Sequence, residues 1–148
     1  MDEDSEIVED GIRALREPGG DLNDVPLPEL RELVRRSLWE PSNKGPLGDV
    51  ATAGRLKAAL VSAIEEAPWG DRGSAAIFLL GVCMDDAYEP FFVELGKRAI
   101  QEGRADKLTQ IVFALGNVAE LQIVRLAFDE HEEARRVFDA YLATKGQQ

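Results

Sequence analysis

DRGSAAIFLLGVCMDD, residues 71–86, is the stretch whose reading decides the fold. Between Ala75 and Met84 it is apolar on every side, as a buried strand or a fully buried helix would be. Ala75, Ala76, Leu79 and Leu80 are stronger helix than strand formers, and no other segment alternates in a way that would pair with a strand here. The stretch is therefore expected as the central buried helix, capped by Asp71 or Ser74.

Upstream, Pro68-Trp69-Gly70 breaks the chain, and before it Leu56, Leu60 and Ile64 recur at four-residue steps beside Ala59, Ala63 and Ala67. Asp49 or Thr52 is positioned to cap that helix, and the small residues predict close packing. EPSNKGPLGDVA, residues 40–51, has the Pro, Gly and Asn density of a loop. Pro26 and Pro28 open an amphipathic helix with Leu30, Leu33, Val34 and Leu38 on one side and Arg31, Glu32, Arg35 and Arg36 on the other. Ile7, Ile12 and Leu15 fit a short first helix halted by Pro18 and Gly19-Gly20.

Downstream, Pro90 starts a helix carrying Phe92, Leu95, Ala99 and Ile100 and closed by Gly103. Leu108, Ile111, Val112 and Leu115 form the next, closed by Gly116-Asn117; Leu121, Val124 and Phe128 form another; and Ala134, Val137, Phe138, Tyr141 and Leu142 form the last. The expected fold is all-α, a compact bundle of seven or eight helices. Its expected organisation is an acidic flexible leader with a short helix over 1–20 and a single helical domain over 21–148.

IFLLGVCMD at 77–85 and VFALGNVAE at 112–120 align Phe78 with Phe113, Leu80 with Leu115 and Gly81 with Gly116, at an offset of 35 residues. In each, an apolar helix runs to a Leu-Gly pair ahead of a more charged segment. TQIVFALGNVAELQIVRLAF, residues 109–128, resembles a HEAT-type repeat, with a Leu-Gly-Asn turn between paired antiparallel helices. Glu120 and Arg125 stand near the positions where that pattern often has Asp and Arg. The resemblance implies a short antiparallel helix-pair stack and a scaffold that works by presenting helices to partners.

The net charge of −11 is concentrated at the start, where Asp2, Glu3, Asp4, Glu6, Glu9 and Asp10 stand without a Lys or Arg among the first ten residues. Such a segment reads first as a disordered, solubilising tail; the alternative is an interaction role, in which it speeds encounter with a basic partner. No apolar run approaches the ~20 residues of a bilayer span, and the acidic start is unlike a secretory signal. The lone Cys83 cannot close an internal disulfide, so the expectation is a cytoplasmic chain without membrane association.

Readable catalytic chemistry is absent. His131, the sole histidine, stands among Asp129, Glu130, Glu132 and Glu133 as on a solvated turn, with Cys83 as the only other soft ligand. Cys83 lies in an apolar run that raises rather than lowers a thiol pKa. The loop around Lys44 lacks the order of a phosphate-binding loop, and Pro46 removes one of its donors. Arg35 and Arg36 are countered by Glu29, Glu32 and Glu40, so direct nucleic-acid binding is not expected. No cofactor, metal site or catalytic residue is assigned. Trp39 and Trp69, each at a helix end by a proline-containing loop, are candidate interface anchors, joined as partner-binding residues by Lys44, Asp2, Glu3, Asp4 and Glu6.

The function expected from these features is a non-catalytic protein interaction module, of the inhibitor or immunity-protein kind, that binds a more basic partner. The alternatives are an enzyme or small-ligand carrier with a motif-less site using His131 or the Lys44 loop, and an acidic DNA mimic. The mimic ranks lower because the charge sits in a tail rather than along an ordered face.

Overall fold

The computed structural model describes residues 2–19, 21–39 and 45–118. Every regular element among them is helical: α1 Glu3–Arg16, α2 Leu27–Trp39, α3 Val50–Glu66, α4 Asp71–Val82, α5 Glu89–Gln101 and α6 Ala105–Val118, with 3-10 turns at Leu22–Asp24, Pro46–Gly48 and Asp86–Tyr88. The all-α expectation holds for these residues. The two helices expected beyond Leu121, and His131, lie outside them.

The chain divides into two compact units, Met1–Cys83 and Met84–Gln148. In the first, α3 packs against both α1 and α4, and α2 lies against α1 and α4. Its core consists of Val8, Ile12 and Leu15 from α1, Leu30, Leu33 and Val34 from α2, Leu56, Leu60 and Ile64 from α3, and Ala76, Ile77, Leu79 and Leu80 from α4. Burying each of the larger aliphatic side chains contributes roughly 1.5–3 kcal/mol. In the second, α5 packs on α6, and Phe92, Leu95, Ala99, Ile111, Val112 and Leu115 are buried.

The short helix expected within the acidic leader forms as α1, and it is docked rather than flexible. Asp2 accepts a hydrogen bond from the Ser5 amide at 2.7 Å, Glu3, Asp4 and Glu6 occupy the first turn, and Arg13 and Arg16 the last. That is the charge order a helix dipole favours. Val8 at 0% exposure and Leu15 at 1% dock the helix into the core, so the six carboxylates ride on a packed element rather than a tail. Close approach helps: a Cβ on Gly11 would meet Leu30 Cδ1 at 2.7 Å, which lets α1 and α2 nearly touch.

Asp49 caps α3 as expected, accepting from the Thr52 amide at 3.1 Å and hydroxyl at 2.7 Å. Ala59 and Ala63 are buried, whereas Ala67 is the exposed C-cap. Neither Asp71 nor Ser74 caps α4: Gly70 holds that position without a side-chain bond. Nor is α4 buried all round, because Phe78 stands exposed with the Arg31 guanidinium 5.3 Å from its ring centroid. Such a contact stabilises by about 0.5–1 kcal/mol at an exposed site.

Gly103, at φ +70°, ends α5 as expected. Gly116 and Asn117 do not end α6, which continues through them to Val118. The two aligned strings nevertheless share a burial register. Ile77 and Val112 are both fully buried, Phe78 and Phe113 are 46% and 48% exposed, and Leu80 and Leu115 are again fully buried.

Candidate protein-binding surface

The acidic helix is held at its C-terminus and along its middle. At its C-terminus the last carbonyls have no partner within the helix. Arg72, only 8% exposed although it opens α4, donates Nη1 to Glu17 O at 2.6 Å and to Ala14 O at 3.3 Å. Its Nη2 meets Glu66 Oε2 of α3 at 2.5 Å, and Glu66 Oε1 accepts the Gly19 amide at 2.8 Å. One guanidinium therefore ties three helices together. Further along, Glu9 pairs with Arg55 of α3, and Asp10 with Arg13 at 3.5 Å.

Those pairings sort the acidic residues. Glu3, Glu6 and Asp10 share the exposed side of α1, and Glu3 and Glu6 have no ion pair among the described residues. The Asp2 carboxyl lies below its usual range because the Ser5 amide and hydroxyl hydrogen-bond to its charged form. Asp4 turns towards α2, where its Oδ1 lies 3.9 Å from Arg36 Nη2.

Between α1 and α2 runs a groove of about 280 Å³, lined by Asp4, Ile7, Pro28, Glu29, Glu32, Leu33 and Arg36. Ile7, Pro28 and Leu33 make an apolar floor, and Asp4, Glu29 and Glu32 an acidic rim. Glu32 is held below the usual carboxylate range, first by the side-chain hydrogen bonds from Arg35 at 2.6 and 3.0 Å and then by the nearby arginine charges. Arg36 is held loosely: its contact to Glu32 is also 3.9 Å, and its buried Nε has no hydrogen-bond partner among the described residues.

A second hollow of about 220 Å³ lies among Val34, Ser37, Leu38, Leu47, Ala53, Leu56, Lys57 and Cys83. Both spaces fall below the roughly 300–1,000 Å³ common for small-molecule sites. Among the described residues no three His, Cys, Asp or Glu side chains gather where they could hold a metal ion.

The structure thus brings Asp2, Glu3, Asp4 and Glu6 together on one helix. Trp69 is half-buried in the turn between α3 and α4. Trp39 closes α2, but its side chain and Lys44 lie outside the described residues. Sequence reasoning missed Glu29, Glu32 and the floor residues Ile7, Pro28 and Leu33 as a site, because the groove exists only once α1 packs. Arg72 was also missed; a lone arginine at the start of an apolar helix, where the dipole disfavours a cation, was the available signal. Among the described residues no helix is long and apolar enough to cross a membrane. In comparisons with known proteins, no family model, curated protein or solved structure matches this chain.

Proposed function

We propose that this chain is a non-catalytic helical module that binds a more basic protein, in the manner of an inhibitor or immunity protein. The observation that carries the reading is the folding of the acidic segment: its carboxylates are fixed on a docked helix, so their field has a definite direction. A short helix-pair stack is the architecture proposed with it, supported by the burial register that Ile77–Leu80 shares with Val112–Leu115. Cytoplasmic residence goes with the same reading.

The ordering of α1 also favours the DNA-mimic reading, since the charge now lies along a face. Spacing and pairing decide between the two. Six carboxylates over residues 2–10 correspond to one per ~2 Å of helix axis, near the ~1.7 Å of duplex DNA. But Glu9 and Asp10 are paired with Arg55 and Arg13, and Asp4 turns towards α2, which interrupts the row. A protein partner needing a few directed carboxylates fits better than a DNA-binding surface needing a continuous row.

Affinity purification of the full chain from its host tests the reading, with Glu3→Gln/Glu6→Gln as the comparison. A stoichiometric basic protein, captured more slowly by the variant and with weaker salt dependence, is expected. A bound small molecule or metal in place of a protein would overturn it.

A further inference from the structure

We propose that the groove between α1 and α2 receives a basic amphipathic segment of the partner, with an aliphatic side chain on the Ile7–Leu33 floor and Lys or Arg against Asp4, Glu29 and Glu32. This rests on the reading that the partner is a basic protein, and adds where and by what chemistry it is held. The volume of about 280 Å³ suits one or two side chains rather than a cofactor. The floor reaches the core at Leu33, which is itself buried, so an aliphatic group placed there loses part of its contact with water.

Charge complementarity selects the occupant. Asp4, Glu29 and Glu32 line the rim with Arg36, and Glu32 is already bonded by Arg35; Glu29 has no ion pair among the described residues, and Arg36 reaches Asp4 and Glu32 only at 3.9 Å. An incoming ammonium or guanidinium at the usual 2.7–2.9 Å forms charge-assisted bonds that Arg36 does not make. A second copy of this chain would bring acidic α1 against an acidic rim, and a nucleic acid would bring phosphates, so both are disfavoured by sign. The exposed carboxylates Glu3 and Glu6 then act on encounter rate, and the groove on residence time.

Titration of the isotope-labelled full chain with a short helical peptide, a Leu stripe flanked by Lys, followed by NMR, tests the assignment. Shifts centred on Ile7, Leu33 and Arg36 are expected. Peptides with Glu for Lys or Ser for Leu should bind at least about tenfold more weakly. Glu29→Lys and Ile7→Asn should each weaken the parent peptide about tenfold while circular dichroism stays unchanged; because Glu29 is exposed, its variant keeps the test valid even if Ile7→Asn unfolds. If the Ser peptide binds as well as the parent, or the shifts fall only on Glu3, Glu6 and Asp10, the groove is wrong and the basic-partner reading survives. No binding of the parent peptide at any site removes both.

Discussion

Replacing Arg72 by Met tests the tie that fixes the acidic helix. The substitution keeps most of the side chain's bulk but removes every donor, orphaning Ala14 O and Glu17 O and leaving Glu66 without its cation. A carbonyl left unpaired in a buried setting costs roughly 1–3 kcal/mol, and water can reach the more exposed of the two. The ion pair adds less than a fully buried one, because the Glu66 side chain is 37% exposed and screened by solvent. Together these give a loss of about 2–4 kcal/mol, or a urea midpoint lower by roughly 2 M at a slope of ~1–1.5 kcal/mol/M. Both tryptophans, Trp39 and Trp69, belong to the unit 1–83, so fluorescence follows that unit. Arg72→Lys, which keeps the charge but not the fork, should fall between the two. A loss below about 0.5 kcal/mol for Arg72→Met would refute the reasoning, since that is the range of an ordinary surface change.

Three further positions give predictions. A Cβ at position 73 would stand 2.1 Å from Ala67 O and 2.9 Å from Pro68 Cα, so Gly73→Ala should cost at least about 1–3 kcal/mol in denaturant titration. Met84 follows the C-cap of α4 at φ 52° and is about half exposed, so Met84→Gly should raise stability by up to about 1 kcal/mol in a thermal melt. Asp49→Ala should lower the melting temperature near neutral pH, and Asp49→Ser should recover most of it. The Thr52 hydroxyl and amide lower the Asp49 pKa in the folded chain, so this stabilisation is present above the unfolded-state value near 4 and fades as pH falls through the lower folded one. Wild type and Asp49→Ala should therefore converge in acid.

Much of the fold was legible because periodicity and punctuation are local. Leu56, Leu60 and Ile64 marked the buried side of α3, Asp49 its start, and Gly103 the end of α5. The failures occurred where a distant contact decides. Acidic residues 2–10 read as a tail because, counted alone, they hold too little apolar material to fold. Val8, Ile12 and Leu15 become enough only against α3, with Arg72 from 55 residues further on closing the end. Phe78 looked buried because a continuous apolar run gives no hint of which side lacks a neighbour; Arg31 covers it instead. Gly116-Asn117 looked like a stop, but α6 continues through both.

The candidate site was half legible for the same reason. Asp2, Glu3, Asp4 and Glu6 were visible as charge, but as a tail they would affect only the rate of encounter. Docked through Val8, Ile12 and Leu15, the same helix presents Ile7 and Asp4 towards Pro28, Glu29, Glu32 and Leu33, creating a concave surface with an apolar floor. Recognition at that surface is therefore coupled to the stability of α1: whatever frees α1 abolishes the groove but leaves the charges present. A partner held in the groove must in turn stabilise α1 by mass action, by about 2.7 kcal/mol at a hundredfold excess over Kd. That coupling separates the groove from simple charge attraction, which would act on a detached, unfolded α1 almost as well as on a docked one.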